Sequence, residues 1–300
     1  MAGAGCSANP AVRTEAAEPR VEIPTASAAE TPEQFDCQAP EAGTRVLVTF
    51  TSHAELTIVD AAGAARSLTS LGSAEAAYEV SPLALVSGAP TRARILLRSH
   101  AIGAEQGPSL GAPGAWNTAV QKGWVQEGRP FEIELRGQKW CRADDAACSA
   151  EDEPQQKFVE SVGTTVQMVG LAPEVVGALD GQRSDGNLSF TLPTAIAVRA
   201  LPAGASPVAE QVQGGLPAVF MAQAEGQKET AAILKDRDGT ESERMINVDW
   251  TSVTEVTVEQ DCRPSRVTVD LQNSTPLLKD ELPGRARTVA QHAWKIEPLE

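Results

Sequence analysis

Aromatic residues are scarce in this 300-residue chain: they make up 4% of it, with six Phe, five Trp and a single Tyr. A core with so few rings must rest on Val, Leu, Ile and Ala, and 47 of the residues are alanine. Positive charge is also in short supply. Twenty-five Lys and Arg stand against forty Asp and Glu, a net charge of −15. Binding to a nucleic-acid backbone needs clustered Lys and Arg, and no such cluster occurs, so nucleic acid is excluded as the main partner. The same charge opposes direct adsorption to anionic lipid. No uninterrupted apolar stretch of about 18 residues exists, so nothing reads as a membrane-spanning helix.

Catalytic patterns are equally thin. The histidines are His53, His100 and His292, none with a second His within a helical turn, and no Cys-x-x-Cys occurs; neither supports a local zinc site. One G-x-S-x-G string is present, Gly107-Pro108-Ser109-Leu110-Gly111. A nucleophile elbow needs a strand before the serine and a helix after it. Ala112-Pro113-Gly114 follows, which argues against a regular helix there, so the string reads as turn chemistry.

Five cysteines are present: Cys6, Cys37, Cys141, Cys148 and Cys262. In an oxidising compartment an odd count leaves one over. Cys141 and Cys148 bracket a short polar loop suited to a local disulfide, which leaves Cys37 to pair with Cys262. Cys6 stands apart, after Ala2-Gly3-Ala4-Gly5 and before Ser7. Small residues running into a cysteine resemble the lipobox of bacterial cell-envelope lipoproteins, although Gly3 stands where that family has leucine. The resemblance implies lipid on Cys6 and membrane contact only through that anchor. Residues 7–35 hold almost no bulky apolar side chain beyond Val12, Val21 and Ile23. Such a segment cannot offset its own ordering entropy, so residues 1–36 are expected to be a disordered acidic tether.

From residue 40 onward, short alternating runs are broken by turn residues. Arg45–Thr51 and Glu55–Asp60 alternate with period two, with Ser52-His53-Ala54 between them as a hairpin loop. Phe131–Arg136, Val253–Glu259 and Arg266–Leu271 alternate likewise, and their Val and Thr suit a pleated surface. Ala119–Val125, Thr164–Val169, Ala218–Ala222, Ala231–Leu234 and Ile246–Trp250 are further strand candidates. Helical signals are confined to a turn within Ala61–Ser73 and to Pro173–Leu179. The expected fold is mainly β, with two antiparallel β-sandwich (immunoglobulin-like) domains. The acidic stretch 142–156 separates residues 37–141 from residues 157–298; the alternative is one large sandwich in which that stretch is a long loop.

Two clusters invite a ligand. Asp236, Asp238 and Glu241 place carboxylates around Gly239, as a calcium loop would, though a solvated hairpin turn needs the same residues. No other cofactor is implied. Trp116, Trp124 and Trp140 could form a carbohydrate platform if exposed, and core packing is the competing use. Together these features lead to a non-enzymatic, extracytoplasmic binding or structural protein whose partner is an envelope protein or polysaccharide. The alternatives are a calcium-dependent or carbohydrate-binding adhesin module, a hydrolase whose site forms only in the fold, and a virion structural subunit.

Overall fold

A computed structural model describes residues 41–60, 62–102, 112–146, 148, 153–171, 189–192, 208–211, 216–235, 241–276 and 284–299. They belong to one compact unit, Phe35–Glu300. The chain order is β1 (Arg45–Asp60), β2 (Ala65–Val86), β3 (Ala89–Ile102), α1 (Ala112–Gln121), β4 (Phe131–Arg136), β5 (Lys139–Arg142), α2 (Glu153–Val169), β6 (Ser189–Thr191), β7 (Val208–Gln211), β8 (Ala218–Lys235), β9 (Glu241–Val258), β10 (Pro264–Pro276) and β11 (Gly284–Leu299).

The protein is mainly β. All eleven strands form one antiparallel sheet, in the order β5-β4-β3-β2-β1-β11-β10-β9-β8-β7-β6. This corrects the expectation of two sandwich domains at 37–141 and 157–298. The first and last strands pair over their whole length, Arg45 with Leu299 through Asp60 with Gly284, so both halves of the chain share one ladder. Residues 142–156 are likewise no boundary between two sheets, and Glu153 already opens α2.

Alternation sets the two faces. In β1, Val46, Val48, Phe50, Ser52 and Ala54 are buried while their neighbours are not. The expected hairpin loop at Ser52-His53-Ala54 is therefore a continuation of the same strand: small side chains tolerate burial, and both adjacent strands pair through them. Ala61–Ser73 is not helical either, since β2 begins at Ala65. Its turn into β3 is Ser87-Gly88, with φ of 51° and 82°. Positive φ at both positions matches the twist of a two-residue hairpin. Pro82 lies at a register shift of the β2–β3 ladder, where a missing N–H breaks no regular pairing.

Two helices lie on the inner face. Sequence reasoning missed both. Pro113 sits at the second position of α1, where its absent N–H costs no intrahelical bond. This removes the expected strand Ala119–Val125. In α2, Phe158, Val162, Thr165, Val166 and Val169 recur at helical spacing along the buried side, and the Val and Thr that suggested a strand at Thr164–Val169 belong to that stripe. Between helices and sheet, Trp116 contacts Tyr78 at 4.7 Å and Phe158 edge-on at 4.9 Å between ring centroids. The Tyr78 hydroxyl shares a 2.8 Å hydrogen bond with Thr165 Oγ1. Burial raises the Tyr78 phenol well above its ordinary pKa, so it stays protonated.

Cys141 and Cys148 are disulfide-bonded as expected. Cys262 is buried and also disulfide-bonded. Cys37, its expected partner, lies outside the described residues, as do Cys6 and the proposed tether. The loop after β5 is further fixed by Arg142. Its guanidinium donates to both Asp144 carboxylate oxygens at 2.9 and 2.8 Å and to the Trp124 carbonyl at 3.0 Å. That pairing holds the Asp144 carboxyl below its usual pKa. Replacing Cys141 and Cys148 together by serine should lower stability by about 2–3 kcal/mol, the entropy a short closed loop removes from the unfolded chain. Denaturant unfolding checks this, and an unchanged midpoint would show that the hydrogen bonds alone close the loop.

Candidate functional site

The face opposite the helices carries a groove of about 650 Å³ at the centre of the sheet. Strand register explains its shape. One row of outward residues crosses five neighbouring strands: Glu75 on β2, Thr51 on β1, Ala293 on β11, Thr268 on β10 and Glu255 on β9. The next row holds Ser73, His53, Gln291 and Asp270. Small side chains occupy the middle of the first row and form the floor. Longer ones stand at its ends and along the second row as walls, and Arg266 of β10 flanks the first row on the opposite side. No Trp, Tyr or Phe is among the lining residues.

The floor is stitched from beneath. Ser52 and His292 are cross-strand partners that point to the buried face, and Ser52 Oγ lies 2.8 Å from His292 Nδ1. The imidazole stacks on Phe50 at 6.2 Å and lies 6.1 Å from Trp294. Ser52 and His292 thus join β1 to β11 within the core. On the outer side His53 Nε2 meets Glu55 Oε1 at 2.9 Å, with both side chains partly exposed.

Several carboxylates outside the groove are neutralised by arginine. Glu79 pairs with Arg98, Asp249 with Arg285, and Glu132 with Arg92 and Arg94. The hydrogen bonds from Arg94 and then Arg92 hold the Glu132 carboxyl below its usual pKa. Within the groove, Glu75, Glu255, Asp270 and Arg266 make no ion pair or side-chain hydrogen bond among the described residues. Three carboxylates against one guanidinium leave it acidic.

The residues singled out from sequence lie elsewhere. Trp116 and Trp140 are buried at 1% and 4% exposure, and Trp124 packs partly buried against the same core, so they offer no exposed platform. Asp236 and Asp238 lie outside the described residues. Glu241 opens β9 opposite Lys235, the last residue of β8. Ser109 is also outside them. A helix does begin at Ala112, contrary to the expectation from Pro113, but β3 ends at Ile102, several residues before that serine. His100 points to the inner face beside Ala76, its pKa lowered by burial against the opposing charge of Glu127. The groove residues were missed because they converge only through pairing of the chain ends. Their one local signal was the outward set of the alternating runs: Glu255 in one, and Arg266, Thr268 and Asp270 in the other.

No helix among the described residues is long and apolar enough to cross a membrane. No family model matches the sequence, and no curated protein matches it. A solved structure concerned with lipid–protein interactions in lipovitellin is similar over 87% of this chain and 25% of that one, at 9% identity and a TM-score of 0.41. The chain thus spans about a quarter of that neighbour's length.

Proposed function

We propose that this chain is a non-enzymatic binding protein of an extracytoplasmic compartment, tethered to the cell envelope through Cys6, and that the groove on the helix-free face docks its partner. The groove carries this reading. Its volume falls within the range of ligand sites, about 300–1,000 Å³. Its walls are polar, its floor is low, and its strands are cross-linked beneath by the Ser52–His292 bond. Such a surface is stiff and open, which suits docking more than enclosure of a small substrate. The Cys141–Cys148 disulfide supports an oxidising compartment.

The test has two arms. In the native cell the protein should fractionate with membranes, and Cys6→Ser should release it. Purified protein should bind immobilised envelope extract saturably, and Ala293→Trp, which fills the groove floor without touching the core, should weaken that binding by about tenfold or more. Recovery from the cytosol, or an isotherm indifferent to Ala293→Trp, overturns the proposal.

A further inference from the structure

We infer that the groove takes an extended, basic peptide segment; this rests on the groove being the docking surface. The first argument is charge. Glu75, Glu255 and Asp270 carry no ion pair among the described residues, whereas Glu79 and Glu132 on the same sheet are each answered by arginine. Leaving them unpaired keeps them available to a cation from outside. The net charge of −15 adds a long-range field that draws such a cation in.

The second argument is spacing. Glu75 and Glu255 stand at opposite ends of one cross-strand row, four strand intervals apart, or roughly 19 Å along the sheet. An extended peptide advances roughly 3.3 Å per residue. Cationic side chains six residues apart, which share one face of an extended peptide, therefore reach both carboxylates at once, while a compact diamine reaches only one. The third argument is the floor between them. Thr51, Ala293 and Thr268 present low relief, on which a peptide backbone can lie flat. Thr51, Thr268 and the neighbouring Gln291 offer hydroxyl and amide groups to its N–H and C=O. With no Trp, Tyr or Phe in the lining, the stacking that holds a sugar is weak, and a polysaccharide fits less well.

Fluorescence anisotropy with the full chain and labelled peptides tests this. One peptide carries two lysines separated by five small polar residues. A second has the same composition with adjacent lysines, a third has glutamates in place of the lysines, and a fourth is uncharged. Putrescine is the diamine control. The spaced basic peptide should bind best, and its affinity should fall steeply as salt is added. The double variant Glu75→Gln/Glu255→Gln, altered only at exposed positions, should bind it about tenfold more weakly or worse, with unchanged circular dichroism. Equal binding of the adjacent-lysine peptide or of putrescine would refute the spacing. Preference for the uncharged or acidic peptide, still abolished by Ala293→Trp, would overturn the inference and leave the groove as a docking surface. Failure of every probe to bind overturns the inference, and the envelope-extract isotherm then decides separately whether the groove docks anything.

Discussion

Replacing Trp116 by alanine should cost about 3–5 kcal/mol of stability, the usual toll for removing a fully buried Trp or Phe. Trp116 is 1% exposed and meets a ring on each side, Tyr78 of β2 and Phe158 of α2. It joins α1, α2 and the sheet at one point. In a chain with twelve aromatic side chains, few others can move in to fill the cavity. At a few degrees per kcal/mol for a domain of this size, the midpoint should fall by on the order of 10 °C. Trp116→Phe keeps a ring between Tyr78 and Phe158 and should recover much of the loss. Trp124→Ala, at a partly buried site, should cost clearly less. Thermal and denaturant unfolding of the three variants give the ranking; a Trp116→Ala loss below that of Trp124→Ala would show that α1 is not held through this ring.

What could be read in advance, and what could not, divides along local and non-local lines. Phe131–Arg136 was legible residue for residue, because alternation is a property of the strand itself. The inward and outward sets of β9 and β10 were legible for the same reason. The Cys141–Cys148 bridge was legible because the two cysteines are seven positions apart around a short polar loop, which leaves few other partners within reach. The helices failed because Val and Thr in α2 carry strand propensities that tertiary packing overrides, and because Pro113 in α1 falls in the first turn, where proline breaks no helical bond. The two sandwiches failed for a different reason. Each half of the chain alternates as a sandwich would, and only the β1–β11 ladder, joining residues 45–60 to 284–299, turns the two halves into one sheet. The groove inherits that difficulty. Thr51 and Ala293 are neighbours in space and nearly a whole chain apart in sequence, so no window along the chain contains the site.

The sharpest packing constraint is at Gly163, and Gly163→Val should destabilise the protein by about 3 kcal/mol or more, the upper end of the overpacking range. Gly163 lies midway along α2 on the side that meets β5. A Cβ there would sit 2.2 Å from Trp140 Cδ1 and Cγ, well inside contact distance. Trp140 is 4% exposed and has no open side to retreat to. Its own backbone is tied to the helix, since Gln156 Nε2 donates to the Trp140 carbonyl at 3.0 Å. The helix and the ring therefore cannot separate cheaply. Immediately after the helix, Gly170 repeats the constraint, with an added Cβ 2.2 Å from Pro90 Cδ, so α2 is pressed to the sheet at two points. Intrinsic propensity works in the opposite direction: glycine to alanine in a helix interior is favourable by about 1 kcal/mol. Gly163→Ala thus sets steric cost directly against helix preference, and here sterics should win, with a net loss of about 1–2 kcal/mol. Trp140→Leu removes the atoms that the new Cβ meets. In the double variant Gly163→Ala/Trp140→Leu the alanine should turn from destabilising to neutral or favourable, a coupling that urea unfolding of the four proteins measures. If alanine at 163 stabilises the protein with Trp140 intact, the helix does not lie on the indole, and the close approach of α2 to β5 is wrong.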